Sequence, residues 1–95
     1  GPKAELIADV SIAIEDDALL NHGVLVNTAL RSAGFSTEMI ASGSPRKRFD
    51  KAAKINAKVL LGISSSDGEI VYNLRSAPGV QAYEQIKNLI DNLDK

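Results

Sequence analysis

The residues with the most chemistry to offer are positively charged and close together. Arg46, Lys47, Arg48, Lys51, Lys54 and Lys58 place six cations within thirteen residues against one acid, Asp50, so this stretch carries +5 while the rest of the chain carries −6. Cations at that density suit the phosphates of an anionic partner, because phosphate contacts need charge and reach rather than one fixed geometry. They equally suit a solvated outer face of a helix. Just before them, Ser42-Gly43-Ser44 offers two hydroxyls, a flexible glycine and the free amides of a helix start, a combination able to receive a phosphate.

Other chemistries lack their parts. His22 is the single histidine and there is no cysteine, so neither a Ser-His-Asp triad nor a histidine- or thiolate-based metal site has a full set of residues to draw on. No catalytic residue, metal or cofactor is expected in this chain. His22 reads as a partly exposed helical residue, and the acids Glu15, Asp16 and Asp17 as the cap of the following helix rather than as cation ligands. With two tyrosines and two phenylalanines, stacking of unpaired bases has few planes available. Arg46, Arg48 and Tyr72 are the candidates; Phe35, Phe49 and Tyr83 read as core.

The elements that must position these residues follow from periodicity. Ala8 to Ile14 reads as a strand ending at the acidic cluster. A helix with Asp16 or Asp17 as its cap continues through Leu19, Leu20, Val24, Leu25, Ala29 and Leu30 to Gly34. Gly23 within it, unfavourable by about 1 kcal/mol relative to alanine, implies close packing against the sheet or a local irregularity. Phe35 to Ala41 is a second strand. The basic helix then has Ser44 as N-cap, Pro45 at its first position, Phe49, Ala52, Ala53 and Ile55 facing inward, and Asn56 in the left-handed conformation at its end. Lys58 to Ile63 is continuously apolar, as a central strand covered on both faces should be. Ser64 to Gly68 reads as a turn and Glu69 to Leu74 as the returning strand of a hairpin. Arg75 to Gly79 breaks the chain, with room for a very short fifth strand. Val80, Tyr83, Ile86, Leu89, Ile90 and Leu93 mark one face of a last helix.

Right-handed crossovers put the first three strands in parallel, with the hairpin strand antiparallel beside the third. The expected architecture is α/β: a three-layer mixed sheet ordered 2-1-3-4 with three helices, in one domain covering residues 1–95. No stretch approaches the ~20 apolar residues of a membrane span, and no signal peptide is evident. A cytoplasmic or organellar-matrix location without a membrane partner is the expectation. Gly1-Pro2 reads as the remnant of an expression tag, and the chain as the carboxy-terminal fragment of a longer protein.

The order of these elements resembles the carboxy-terminal anticodon-binding domain of class II aminoacyl-tRNA synthetases, most closely that of histidyl-tRNA synthetases. The similarity runs from Asp9 to about Leu93. Its most specific part is Phe49-Asp-Lys-Ala-Ala-Lys-Ile-Asn-Ala-Lys-Val-Leu-Leu-Gly62, joined by Asp67-Gly-Glu-Ile-Val-Tyr-Asn-Leu74 and by the Leu30-Arg-Ser-Ala-Gly-Phe35 helix ending. The resemblance implies a module that docks the anticodon stem-loop of a tRNA in protein biosynthesis, while a separate ATP-using ligase domain of the same chain performs catalysis. A homodimer would form through the parent protein. Carried onto matching positions, the RNA-binding residues would be Ser42, Ser44, Lys51 with its neighbours Arg46, Lys47, Arg48 and Lys54, then Ser65 and Asn73. The chain departs from the pattern after Gly62, where family members usually carry an acidic or otherwise charged cluster and Ile63-Ser-Ser-Ser66 stands here. That departure motivates an alternative: a synthetase-derived regulatory or dimerisation domain of a paralogue that reads no anticodon.

Overall fold

The computed structural model describes residues 5–93; Gly1-Pro2 lies outside them. Four strands, β1 (Ala8–Ile14), β2 (Thr37–Ile40), β3 (Ala57–Ser66) and β4 (Glu69–Ser76), form one sheet in the order β2-β1-β3-β4. β1 pairs in parallel with both β2 and β3, and β4 returns antiparallel to β3. Three helices, α1 (Leu20–Ser32), α2 (Pro45–Ala53) and α3 (Gln81–Asp91), complete the three layers. The expected fold class and strand order are both found. Among the described residues there is no fifth strand: β4 runs on through Arg75 and Ser76, and Pro78-Gly79 leads directly into α3.

The period-two alternation of the strands sorts the two faces of the sheet. Val10, Ile12 and Ile14 of β1 and Val59, Leu61 and Ile63 of β3 point to one side. There they form a single buried core with Val26 and Leu30 of α1 and Ile86 and Ile90 of α3. Each such side chain fully removed from water contributes about 1.5–3 kcal/mol, so this face carries most of the stability. Gly23 belongs to it as a close contact. A β-carbon there would collide with Ile14 Cδ1, which accounts for glycine in mid-helix.

On the opposite face the residues of β1 are small, Ser11 and Ala13, and α2 sits down on them. Ser11, 1% exposed, donates its hydroxyl to the Ala52 carbonyl at 2.8 Å. Nine residues of helix cover β1 and β2 but extend little over β3. The α2 side of the β3–β4 hairpin is therefore left open, and this absence of cover creates the candidate site.

Two turns differ from expectation. β3 continues through Ser66, and the hairpin closes on Asp67 and Gly68 alone, with φ of 52° and 77°, as a two-residue turn with both central residues left-handed requires. Asn56 does not adopt the left-handed conformation, since Asp67 is the one non-glycine residue with positive φ among those described. Instead α2 tightens at its end, Ile55 N–H bonding to Ala52 O at 3.1 Å, and Asn56 O accepts from Ile7 N–H at 2.9 Å.

The amino end of β1 is fixed by a reciprocal pair. Asp9 N–H donates to Ser36 Oγ at 2.8 Å, Ser36 N–H donates to Asp9 Oδ2 at 2.9 Å, and Lys58 Nζ lies 3.3 Å from Asp9 Oδ1. The Ser36 amide, aided by Lys58, holds the Asp9 carboxyl below its ordinary pKa, against the opposing effect of burial. A carboxyl depressed in the folded state stabilises fully above its unfolded pKa of about 3.9, and that stabilisation is lost as pH falls through the folded value. Asp9→Asn, which keeps an acceptor oxygen but loses the charge, is accordingly expected to melt below the parent chain at pH 7. Thermal melts across an acid series should show the two curves converging as the pH falls below about 4.

Candidate nucleic-acid interface

Helical spacing sets α2's residues into three groups. Arg48 and Ala52 point at the sheet and are buried. Phe49, half-buried, lies on the flank next to β3, with Arg46 and Ala53 at helical spacing beside it. Lys47, Lys51 and Lys54 form an exposed stripe around the outer side. Ala53, expected in the core, is exposed; one residue beyond the buried Ala52, it has already rotated out of the interface.

Arg48 is the main correction to the cation cluster. It is 3% exposed, and its guanidinium is bound internally. Nη1 donates to Ile14 O at 2.9 Å and lies 2.8 Å from Asp17 Oδ1; Nη2 donates to Gly43 O at 2.9 Å. It joins the carboxyl end of β1, the acidic cluster and the loop before α2, and so cannot meet a phosphate or a base. The planar fork suits this task, offering several donors in fixed directions. Its Nε is buried without a partner among the described residues.

The loop before α2 is arranged around glycine and lysine. Gly43 has φ of 77°, and Lys51 Nζ lies 2.5 Å from where a β-carbon on Gly43 would stand. The amine thus lies over the Ser42–Ser44 loop, with Lys51, Ser42 and Ser44 at one exposed corner. Ser44 occupies the N-cap position with extended backbone, but its hydroxyl makes no capping bond. Lys47 N–H bonds to the Ser44 carbonyl instead, and the hydroxyl stays free of that duty.

The open face of the hairpin supplies the second half of the site. Asn73 stands opposite Gly62 and Arg75 opposite Leu60, both on the α2 side by alternation. Arg75's guanidinium lies over the Phe49 ring, 5.3 Å from its centroid, and its Nε donates to Asn73 Oδ1 at 3.4 Å. Cation and ring make a two-layer platform of the kind on which a base can stack. Gly62 leaves a gap in the sheet between them. A β-carbon there would meet Glu15 Oε2 at 2.5 Å and Phe49 Cδ2 at 3.0 Å, so these two side chains occupy the space that Gly62 vacates.

Ser65 and Tyr72 are not part of this face. Ser65 shares the parity of Ile63 and Leu61 on the far side, and its hydroxyl donates to Asp16 Oδ2 at 3.1 Å. Tyr72, opposite Ile63, packs against the core, and its hydroxyl bonds to His22 Nε2 at 2.5 Å. The three acids also separate. Asp16 caps the chain through Ala18 N–H at 2.9 Å, Asp17 meets Arg48, and Glu15 turns to the open face, where burial pushes its carboxyl above the ordinary range.

The structure therefore brings together Arg46, Lys47, Lys51 and Lys54 on one exposed helix, Ser42 and Ser44 at its start, and Asn73 on the adjoining sheet. It adds Arg75, Phe49 and Glu15. Arg75 was hidden at the expected strand end, Phe49 by its apolar character, and Glu15 by the reading of the whole acidic run as a helix cap. The parity of β1, which sets Glu15 on the side of Ser11 and Ala13, is the signal that distinguishes it.

No helix among the described residues is long and apolar enough to cross a membrane. No family model matches the chain. Over 69 residues, 73% of its length, it is 49% identical to a histidine–tRNA ligase of Novosphingobium aromaticivorans. It spans 16% of the length of that curated relative, and is thus similar to one part of such an enzyme.

Proposed function

We propose that this chain is the anticodon stem-loop binding module of a histidine–tRNA ligase, with its catalytic domain elsewhere in the same protein. The observation that carries the reading is the open sheet face beside an exposed cationic helix, in a chain 49% identical over 69 residues to part of such a ligase. The phosphates would run across Lys47, Lys51, Lys54 and the Ser42–Ser44 loop. Unpaired bases would turn toward Arg46, Asn73 and the Arg75–Phe49 platform, since single-stranded loops are recognised by stacking and by their exposed edges. A cytoplasmic or organellar-matrix location follows from that role.

Titration of the chain with histidine tRNA at two salt concentrations tests this. Three lysine–phosphate contacts predict a loss of affinity of about twentyfold between ~50 and ~200 mM salt. Absence of binding at the lower concentration would refute the reading.

The regulatory or dimerising alternative draws on a different surface. Leu20, Val24 and Leu25 of α1 are 42%, 47% and 53% exposed, an apolar stripe on the side away from the cations. A concentration-dependent dimer in sedimentation, together with no RNA affinity, would select it.

A further inference from the structure

We infer that the free edge of β4 pairs with the same edge of a second copy of this chain, antiparallel about a two-fold axis at Tyr72, with Glu69 of each copy opposite Arg75 of the other. Such pairing is independent of the RNA-binding reading.

The sheet ends in two edges, and they are treated differently. β2 is four residues long, and the Arg31 guanidinium of α1 bonds to its Thr37 hydroxyl and carbonyl. β4 is eight residues long and keeps register with β3 without a break from Val59↔Ser76 to Ser66↔Glu69. Its sequence, Glu69-Ile-Val-Tyr-Asn-Leu-Arg-Ser76, holds no proline, no lysine and no bulge, the features by which an edge strand is ordinarily kept from pairing with another chain. Along it Ile70 and Val71 are 39% and 40% exposed.

The ladder decides which main-chain groups face outward. Ile63 O accepts from Glu15 N–H on the β1 side, so the backbone of its β4 partner Tyr72 is turned away from β3. By alternation Ile70, Leu74 and Ser76 share that outward sense. The closing pair of the two-residue turn, Ser66 with Glu69, sets the same phase. An antiparallel copy with Ile70 opposite Leu74 therefore brings outward groups against outward groups and covers β4 from Glu69 to Arg75.

In that register the side chains match as well. Glu69 falls opposite Arg75 twice, once in each direction, in pairs without hydrogen bonds, where side chains stand closest. Arg75 Nε is turned to Asn73, its Nη nitrogens bond to none of the described residues, and Glu69 has no ion pair among them. Ile70 meets Leu74, which lines a groove between β4 and α3 with Tyr83 and Ile90. Moving the axis to Val71 or Asn73, the neighbouring registers that keep the hydrogen bonds, sets Asn73 opposite Glu69 or Val71 opposite Arg75 and leaves both charges unmatched. Because each copy offers the same edge, the contact closes as a dimer. The cationic stripe of α2, which covers β1 and β2, stays outside it.

Sedimentation of the 95-residue chain over a concentration series is expected to show a monomer–dimer equilibrium. Glu69→Arg and Arg75→Glu each set like charges opposite one another at both charged pairs, and each should weaken the dimer about tenfold or more. The double variant, and an equimolar mixture of the two single variants, should restore it. Ile70→Pro removes an outward N–H while sparing the bonds to β3, and should give a monomer whose circular dichroism matches the parent's. A parent chain that is monomeric at every concentration overturns the proposal. So does a dimer that withstands both charge reversals and Ile70→Pro, or one that Leu25→Glu on α1 dissociates while these variants do not. Reversals that weaken the dimer without rescue in the double variant overturn the pairing of Glu69 with Arg75.

Discussion

Replacing Arg48 by methionine is expected to destabilise the chain by about 3 kcal/mol, which for a domain of this size lowers the thermal midpoint by roughly 12–20 °C. Two effects compete. Removing a buried cation relieves a desolvation cost, and methionine fills much of the space, which can make the exchange of a buried charge neutral. Here the partners remain: the Ile14 and Gly43 carbonyls, bonded at 2.9 Å, lose their donor, and while Gly43 is exposed enough to turn to water, the buried Ile14 acceptor left unpaired costs about 1–3 kcal/mol on top of the two charge-assisted bonds lost. These losses outweigh the relief. Asp17, 74% exposed at its side chain, is rehydrated and adds little. Arg46→Met, on the solvent side of the same helix, should change stability by no more than about 0.5 kcal/mol. Chemical denaturation of the two variants distinguishes a structural arginine from a surface one two residues away.

Reversing the charges of Arg46, Lys47 and Lys51 together is expected to weaken histidine tRNA binding by at least about a hundredfold at ~50 mM salt. Three attractions become three repulsions, and the salt dependence of whatever binding remains should flatten because Lys54 alone of the phosphate-contacting lysines is left. The fold should survive. Positions 46 and 47 lie in the first turn of α2, where acids interact favourably with the positive end of the helix dipole, and none of the three residues is buried. Circular dichroism of the variant guards the conclusion, and an unchanged affinity in a folded variant would remove these cations from the interface.

Much of this was legible in the sequence, for physical reasons that differ by element. The sheet order followed from helical crossovers and from Asp67-Gly68, because handedness and turn chemistry leave few topologies open. Gly23 declared a close contact by its cost in a helix. The exposed cations could be placed on α2, but the sense in which Arg48 points could not, since arginine is at home both in water and in a buried fork. Ser65 was misread through the length of β3: ending the strand at Ile63 freed the three serines from parity, whereas carrying it to Ser66 places Ser65 on the core side and Ser64 on the open one. That Glu15 and Arg75 share an uncovered face was illegible for a related reason. What makes them neighbours is the helix that α2 is too short to extend, and missing cover leaves no mark in the residues it fails to cover.

β1 has a consequence in time. It lies between β2 and β3 and pairs with both in parallel, so each of its ladders joins residues that stand far apart along the chain, while β3 and β4 meet through a two-residue turn. Loop closure favours the hairpin as an early event and the parallel ladders as late ones. During synthesis the order is reversed, for β1 is the first strand made and its β3 partner begins some forty residues later, at Ala57. Through that interval Val10, Ile12 and Ile14, each wholly buried in the finished sheet, have no full set of neighbours. The nascent segment is therefore the part of this domain most exposed to association with other chains, and the speed with which β3 emerges governs how long that exposure lasts.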